Sequence, residues 1–233
     1  MKNSFVGRNI IRLNDSSGRV IVEDSLLSEK KMVLDINKGP KKQIVMTAGN
    51  EELWTIGNLL TREIINDMED ILSIEIMESS ISVKTSSKKN DKEENKISAT
   101  WTIPASLIQN GIKWISEAPL YKQTGSTHVA ALISISGERL FIVEDIKRHN
   151  AVDKAIGWLF KNKFDPASVI LFTSGRLPED MVRKAKISKL PLVASISAAT
   201  EQGALLAERS NITLVGFVRE GRMNIYSHPE RIV

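Results

Sequence analysis

The 233-residue sequence contains no cysteine and only three histidines, His128, His149 and His228. The absence of cysteine excludes disulfide bonds, zinc sites with thiolate ligands, iron–sulfur clusters and a cysteine nucleophile. A histidine-based metal site would need all three histidines or additional carboxylates. We therefore expect no protein-bound metal.

Long apolar runs are also missing, since no stretch approaches the ~18 consecutive apolar residues of a membrane-spanning helix. The first residues, 1–14, mix charges with isolated apolar side chains, so we expect no signal peptide there. We expect a cytoplasmic protein that binds neither a membrane nor nucleic acid. Its composition, 42% hydrophobic and 26% charged, is typical of a folded chain with a sizeable core.

Three motifs of nucleotide chemistry are absent. No Gly-x-x-x-x-Gly-Lys occurs, which excludes a Walker loop, and no Gly-x-Gly-x-x-Gly follows a predicted strand, so a Rossmann site has no support. The ligands of a zinc deaminase, His-x-Glu and Pro-Cys-x-x-Cys, are missing too, because His128 is followed by Val129 and Ala130.

The first half of the chain predicts a small, mostly antiparallel β module with one helix. Short apolar runs bounded by turn residues predict strands at 9–13, 19–23, 31–37, 43–47, 71–77 and 80–85. Apolar residues at helical spacing predict a helix over 50–65. The run 86–96 has no apolar residue and predicts a solvated loop.

In the second half, apolar runs of strand length alternate with helical patterns, which predicts βαβ units and a largely parallel sheet. The predicted strands lie at 129–133, 138–144, 168–173, 192–196, 213–218 and 223–226. The predicted helices lie at 103–117, 150–161, 178–187 and 199–208. We expect an α+β protein overall, with a β-rich module at 1–102 and an α/β domain at 103–233.

The carboxyl ends of parallel strands meet at one edge of a sheet, where ligands bind. Loops with hydroxyl, glycine or arginine groups are predicted there at 144–150, 174–176, 195–198 and 219–222. Arginine forks and backbone amides beside glycine bind phosphate, and residues 121–233 carry 16 Lys and Arg against 11 Asp and Glu. We predict a phosphate-bearing, nucleotide-like ligand held by Arg148, His149, Ser174, Gly175, Arg176, Ser195 and Ser197.

Acid–base chemistry is a second possibility at the same edge. The candidate groups are, in decreasing order, His149 with Asp145, then His128, then His228. A purely structural interpretation stays open, in which His149 and Asn150 cap the following helix and Asp153 is the acid of its first turn. In that interpretation the serines are turn residues and the arginines are surface residues.

The motifs around these residues resemble the FdhD/NarQ family of formate dehydrogenase accessory sulfurtransferases. The matching residues are Thr124-Gly125 with His128 and Ala130, Glu144-Asp145-Ile146 with 148–154, Ser174-Gly175-Arg176, Ser195-Ile196-Ser197-Ala198, and Gly216-Phe217 with Arg219, Arg222 and Tyr226. The segment Leu53–Leu60 is similar to a leucine-rich helix of that family. The likeness covers nearly the whole chain.

This resemblance implies a cytidine-deaminase-like, three-layer core without its zinc. It implies binding of the Mo-bis(molybdopterin guanine dinucleotide) cofactor, with a guanine nucleotide as its mimic, for the maturation of formate dehydrogenase. It also implies a cysteine desulfurase as sulfur donor and a homodimer. The segment that contacts the cofactor would comprise Phe217, Val218, Arg219, Glu220, Gly221 and Arg222.

The sequence departs from the family at the sulfur-carrying loop. Members of the family carry a Cys-x-x-Cys between the two halves, where this chain has the polar run 86–96. A persulfide needs a thiolate, which serine and lysine do not provide. A milder change places Ala199 where the family has proline. An acid–base enzyme acting on a nucleotide-like substrate and a non-catalytic regulatory module remain as alternatives.

Overall fold

The structure is a computed structural model that describes residues 4–16, 18–86 and 97–233, and over these residues the chain forms three β-sheets. The strands are β1 (Phe5–Asn14), β2 (Gly18–Leu27), β3 (Lys30–Ile36), β4 (Lys42–Met46), β5 (Ile71–Ile76), β6 (Ser80–Thr85), β7 (His128–Ser134), β8 (Arg139–Asp145), β9 (Val169–Thr173), β10 (Leu192–Ser195), β11 (Thr213–Arg219) and β12 (Arg222–Ser227). The α-helices are α1 (Glu51–Thr61), α2 (Ala105–Ser116), α3 (Pro119–Thr124), α4 (Arg148–Lys161), α5 (Glu179–Ile187) and α6 (Glu201–Arg209).

The six-stranded sheet of the second half has the order β12-β11-β10-β9-β7-β8. Strands β8, β9, β10 and β11 run in one direction, as predicted. Strand β7 lies between β8 and β9 and runs opposite to both, and β12 runs opposite to β11. The short turn between β7 and β8 makes them a hairpin, and a hairpin is necessarily antiparallel. As a result, the start of β7 lies at the carboxyl ends of its neighbours.

Helices cover both faces of this sheet, which gives three layers. On β7, Val129, Ala131 and Ile133 pack with α2, whereas Ala130 and Leu132 face the opposite side, which α4 covers. This alternation follows from the two-residue period of a strand. The α+β architecture is confirmed. A relation to cytidine deaminases stays a prediction.

The N-terminal half adds a four-stranded sheet, ordered β4-β3-β6-β5, and helix α1. Buried residues from Met32 in β3 to Leu214 in β11 form one hydrophobic cluster, so the core continues across the predicted boundary at residue 102. Strands β1 and β2 pair only with each other among the described residues. The division into two domains stays a prediction.

Local differences from the predicted elements have local causes. Helix α1 ends at Thr61 rather than 65, because Glu63 has a left-handed backbone (φ 57°), while the apolar Ile65 remains buried beyond the helix end. Helix α4 begins at Arg148, two residues earlier than predicted. Helix α3 was not predicted. The solvated loop predicted over 86–96 lies, apart from Ser86, outside the described residues.

No helix in the described part of the chain is both long enough and apolar enough to cross a membrane.

Helices α1 and α4 approach closely at two glycines. A methyl carbon placed on Gly57 would lie 1.8 Å from the carbonyl oxygen of Asp153, and one on Gly157 would lie 1.9 Å from that of Leu53. Only glycine allows this contact, which sets the position of α4 against the N-terminal half.

Replacing Gly157 with alanine should therefore force the two helices apart. We expect the free energy of unfolding to fall by ~3 kcal/mol, as for an overpacked core. Urea unfolding followed by circular dichroism measures this value. Lys113→Ala on the exposed side of α2 is the control and should change it by less than ~0.5 kcal/mol. Equal stability of Gly157→Ala and the parent chain would contradict the close helix contact.

Candidate functional site

A cavity of about 490 Å³ lies at the carboxyl ends of the parallel strands. Its lining comes from the start of β7, the joint between β8 and α4, and the loops after β9 and β10. The lining residues are His128, Ile146, Lys147, Arg148, His149, Gly175, Arg176 and Ser197. Residues from three of the four predicted loops thus meet in one place, together with a histidine from the antiparallel strand.

The cavity is rich in positive charge. Arg148 is partly buried and Arg176 is exposed, and within the described ranges neither arginine forms an ion pair with a carboxylate. Lys147 adds a third cation. Unpaired guanidinium groups in a concave site are suited to bind a phosphate through two parallel hydrogen bonds.

Gly175 fixes the position of the Arg148 side chain. A methyl carbon on Gly175 would lie 3.0 Å from Cβ and 3.1 Å from Cδ of Arg148. The arginine stem therefore lies directly against the backbone after β9. This contact explains why the Ser-Gly-Arg motif has glycine at its centre.

Two serines shape the loops beneath the cavity. The hydroxyl of Ser197 donates to the carbonyl oxygen of Ser174 (2.9 Å), and that of Ser195 donates to the carbonyl oxygen of Gly175 (2.7 Å). Ser195 is fully buried. Its hydroxyl holds the two loops together, and its contact with a ligand stays a prediction.

His128 is connected to the same loops. Its Nδ1 lies 3.3 Å from Oγ of Ser174, which also accepts a hydrogen bond from the backbone N–H of Val129 (3.0 Å). Desolvation by burial lowers the pKa of His128 from its ordinary value of 6.5, and the nearby charge of Arg148 lowers it further, against an opposing effect of Asp145. The ring is therefore neutral at pH 7.

His149 also lines the cavity, and its Nε2 lies 3.4 Å from Oδ2 of Asp180 on helix α5. Burial lowers the pKa of His149 below 6.5, with Asp180 raising it and Lys184 and Arg148 lowering it. This histidine is also neutral at pH 7. The two rings thus offer hydrogen bonds without adding charge.

The segment 217–222 lies beside the cavity rather than in its lining. The backbone N–H of Phe217 donates to the carbonyl oxygen of Ser197 (3.0 Å), and Nη1 of Arg219 donates to that of Ile196 (2.7 Å). Phe217 is 41% exposed, whereas Val218 is fully buried beside α2. The contact of this segment with the cofactor stays a prediction.

The remaining members of the segment stay on the surface. Glu220 and Arg222 are exposed, and Gly221 makes the turn with a left-handed backbone (φ 74°). His228, the weakest acid–base candidate, lies outside the site. Its ring contacts the carbonyl oxygen of Glu208 and the carboxylate of Glu230.

A second hollow of about 430 Å³ shares Arg148 with the first. It is lined by Arg148, Pro178, Glu179, Asp180, Arg183, Thr200 and Gln202. Apart from Arg148, the sequence patterns did not predict these residues, although they follow the Ser-Gly-Arg and Ser-Ile-Ser-Ala motifs in the chain. Among the described residues, no group of three or more histidine or carboxylate side chains is arranged to hold a metal ion.

Asp145, the partner predicted for His149, does not face the cavity. It is fully buried, and its Oδ2 pairs with Nζ of the equally buried Lys154 at 2.7 Å. Its carboxylate also accepts hydrogen bonds from the backbone N–H groups of Thr47 and Lys147 and from Nδ2 of Asn150.

Comparisons with known proteins show which family the chain belongs to. The model of the FdhD/NarQ family matches residues 90–233. Sulfur carrier protein FdhD of Sulfolobus acidocaldarius is 33% identical over 92% of this chain and 93% of its own length. Protein FdhD of Methanocaldococcus jannaschii is 33% identical over 88% of this chain and 89% of its own. This chain belongs to the FdhD/NarQ family.

A solved structure agrees over the whole fold. The crystal structure of a candidate formate dehydrogenase accessory protein from Desulfotalea psychrophila superposes with a TM-score of 0.86 at 26% identity, covering 98% of this chain and 99% of that one. The described strands and helices are therefore those of an FdhD-type protein, from the N-terminal hairpin onward.

The family motif Glu-Asp-Ile-x-Arg-His-Asn-Ala-Val-Asp-Lys is thus divided between two tasks. The expected acid–base pair of His149 and Asp145 is wrong, because Asp145 lies on the same face of β8 as the buried Val143 and turns toward Lys154. Arg148 and His149, the first two residues of α4, line the cavity. Successive residues of a strand point to opposite faces, and successive residues of a helix point in different directions. Residues that are neighbours in the motif therefore face either the core or the cavity.

The capping interpretation of the same motif is also wrong. The N-cap of α4 is Lys147, and no side chain caps the helix. Asn150 instead donates to the carbonyl oxygen of Val45 and accepts from Nε1 of Trp54. The caps were predicted from local spacing, whereas these partners lie more than 90 residues away in sequence.

Asp153 forms a second buried polar cluster. Its carboxylate accepts hydrogen bonds from Nδ2 of Asn58 and Oγ1 of Thr61 and pairs with Nζ of Lys184. It is 1% exposed. Asp153 therefore connects α4 to α1 and α5 and supports the wall of the site without contacting its interior.

Lys154→Met should destabilise the protein strongly, because it leaves the Asp145 carboxylate buried without its counter-charge. We expect the free energy of unfolding to fall by ~3–5 kcal/mol. Urea unfolding measures it, with Lys161→Met as control, because its ion pair with Glu52 is exposed and should contribute less than ~1 kcal/mol. The buried pair would be unimportant if both variants lost the same small amount.

His128 should titrate below pH 6.5 in the folded protein. The contribution of the neutral ring to folding is then present above pH 6.5 and lost as the pH falls below that value. Proton NMR of the imidazole resonances measures the pKa. Arg148→Met should raise it by removing a nearby positive charge, whereas Arg209→Met at the end of α6 should not. A His128 pKa that is unchanged in Arg148→Met would contradict the inferred proximity.

Proposed function

We propose that the cavity binds the phosphate groups of the Mo-bis(molybdopterin guanine dinucleotide) cofactor and that the chain delivers this cofactor during the maturation of formate dehydrogenase. One observation carries the proposal. Arg148 and Arg176, without carboxylate partners in the described part of the chain, line one cavity at the carboxyl edge of the sheet. The similar solved structure, named as a formate dehydrogenase accessory protein, supports the link to formate dehydrogenase.

The cationic side chains that line the cavity fit the diphosphate of the cofactor better than its other parts. Arg148 would hold one phosphate through its fork, since its stem is fixed against Gly175. Arg176 and Lys147, both exposed, would neutralise the remaining charge. When bound, the cofactor supplies the redox-active metal of the client enzyme. The residues of this chain bind and orient it.

The exposed part of the segment 217–222 extends the site along the sheet edge. Phe217 and Arg219 are held next to Ser197 and Ile196 through backbone carbonyl oxygens. A planar base could stack on the exposed ring of Phe217 while its phosphates occupy the cavity. A guanine nucleotide alone should therefore bind as a mimic of the cofactor.

The sulfur step requires a residue that this chain lacks. Relatives are called sulfur carriers, but a carried sulfur must sit on a thiolate, and the sequence contains no cysteine. We infer that a separate, cysteine-bearing protein receives sulfur from the cysteine desulfurase. This chain then contributes binding of the cofactor. A homodimer and a cytoplasmic location remain predictions from the sequence.

Acid–base catalysis with His149 and Asp145 is not favoured, because the Asp145 carboxylate is already bound by Lys154. A purely regulatory module has no observation of its own in support, since the cavity is open and its arginines have no carboxylate partner among the described residues.

Calorimetric titration with guanosine diphosphate tests the proposal. We expect Arg148→Ala and Arg176→Ala each to weaken binding by ~10-fold or more, as expected for a lost charge-assisted hydrogen bond. Arg219→Ala and Arg222→Ala should weaken it less, because these side chains lie outside the cavity. Arg209→Ala, at the far end of α6, is the control and should bind like the parent chain.

Inorganic pyrophosphate serves as a second probe in the same titration. It should compete with the nucleotide and lose affinity in the same two cavity variants. Absence of nucleotide binding, or binding that none of these arginine substitutions alters, would overturn the proposal.

A further inference from the structure

Strand β5 forms an open edge of the N-terminal sheet. The sheet has the order β4-β3-β6-β5, and within the described ranges no strand pairs with the outer side of β5. Three apolar side chains on or next to this strand are exposed to solvent, Leu72 by 67%, Ile76 by 42% and Met77 by 62%. An open strand edge with exposed apolar side chains is a template for pairing with another chain.

The backbone of β5 has polar groups that point away from β6. The turn between the two strands pairs Met77 with Ser80, because the N–H of Met77 donates to the carbonyl oxygen of Ser80 (2.9 Å). In an antiparallel ladder, hydrogen-bonded pairs of residues alternate with pairs that are not hydrogen-bonded. Ile74 and Ile76 therefore belong to the second kind. Their N–H and C=O groups point to the open edge, where they can bond to a further strand.

The opposite edge of the same sheet is protected in a way that β5 is not. Lys42 lies in β4, Lys38 and Lys41 shortly precede it, and all three are exposed. Lysines on an edge strand hinder pairing with other chains. Strand β5 contains neither lysine nor proline, and its bulge between Ile71 and Ser73 lies at its start. The rest of its edge therefore stays accessible.

The open edge carries negative charge. Residues 63–83 contain six acids and neither lysine nor arginine. Glu69, Glu75 and Glu78 are exposed, and none of them forms an ion pair with another residue that the structure describes. A second copy of β5 would bring acids against acids, whereas a basic segment would find complementary charge.

We propose that β5 accepts an extended segment of a different protein as an added strand, and that apolar and basic residues alternate in this segment. The side chains of an added strand lie beside those of the edge strand. Apolar residues of the segment would lie beside Ile74 and Ile76, which share one face of the sheet, and basic residues beside Glu75 on the other face. This inference does not rest on binding of the cofactor.

Fluorescence anisotropy with a labelled synthetic peptide that alternates lysine with valine tests this surface. The peptide should bind the parent chain. A peptide of equal length that alternates lysine with serine has the same charge and should bind at least ~10-fold more weakly, because it lacks the apolar contacts. The lysine–valine peptide with every backbone nitrogen methylated should also bind at least ~10-fold more weakly, because it cannot donate hydrogen bonds to the edge.

Two variants change the edge in the protein itself. Ile76→Pro removes an N–H that points to the open side and leaves the hydrogen bonds to β6 in place, so it should fold and bind at least ~10-fold more weakly. Ile76→Val keeps this N–H and should bind like the parent chain. Glu75→Lys with Glu78→Lys reverses the charge and should also weaken binding by ~10-fold or more. Its control, Glu117→Lys with Glu138→Lys, makes the same change at exposed acids of the second half and should leave binding unchanged.

Absence of binding at ~1 mM lysine–valine peptide would overturn the proposal. So would equal binding of the methylated peptide or of the charge-reversed variant, because the attraction would then not involve the edge. Circular dichroism checks that Ile76→Pro folds, and if it does not, the methylated peptide decides the role of the backbone. Parent chains that pair through β5 in sedimentation equilibrium would assign the edge to a second copy and also overturn the proposal.

Titration of the same variants with guanosine diphosphate separates this proposal from that of the phosphate site. Both edge variants should bind the nucleotide like the parent chain, because the substituted residues do not line the cavity. Failure of the peptide to bind would leave the nucleotide result unchanged, and failure of the nucleotide to bind would leave the peptide result unchanged.

Discussion

The buried ion pair between Asp145 and Lys154 is the interaction on which the rest of the structure depends. Both side chains are at most 1% exposed, and the atoms Oδ2 and Nζ lie 2.7 Å apart. A buried charge is tolerated only when a counter-charge and hydrogen bonds satisfy it. Thr47 supplies an N–H to the acid and a carbonyl oxygen to the base, and Asn150 supplies another donor.

This pair joins the two halves of the chain at one point. Asp145 ends β8, Lys154 lies in α4, and Thr47 follows β4 of the N-terminal sheet. Because the pair holds the end of β8 against α4, the intervening residues have little freedom. Arg148 and His149 are therefore presented to the cavity by a buried scaffold. The close packing of α1 on α4 at Gly57 and Gly157 strengthens the same joint.

Much of the fold is predictable from local sequence patterns. The two-residue period of strands and the spacing of apolar residues in helices located nearly all elements, and residues from three of the four loops predicted at the carboxyl edge of the sheet line one cavity. Local patterns could not show which strands lie next to each other in the sheet. The antiparallel insertion of β7 placed His128 at that edge, although the sequence near His128 contains no sign of it.

The roles within the site motif show the same limit. Asp145 and His149 are four residues apart, and a local interpretation made them a pair. The partner of Asp145 in the N-terminal half, Thr47, is 98 residues away, and only the folded chain shows that the acid is already engaged. Arg148 and Arg176 were predicted from loop chemistry, because guanidinium groups at strand ends depend on edge position alone.

The central claim is that this FdhD-family chain retains cofactor binding while sulfur is carried elsewhere. The most direct measurement is the composition of the protein isolated without oxygen from cells that make the molybdenum cofactor. Guanine nucleotide is measured by chromatography after acid release, and sulfane sulfur on the denatured polypeptide by cyanolysis. The account predicts bound guanine nucleotide and no polypeptide-bound sulfane sulfur. Sulfane sulfur on the denatured chain, or a protein free of guanine nucleotide, would contradict it.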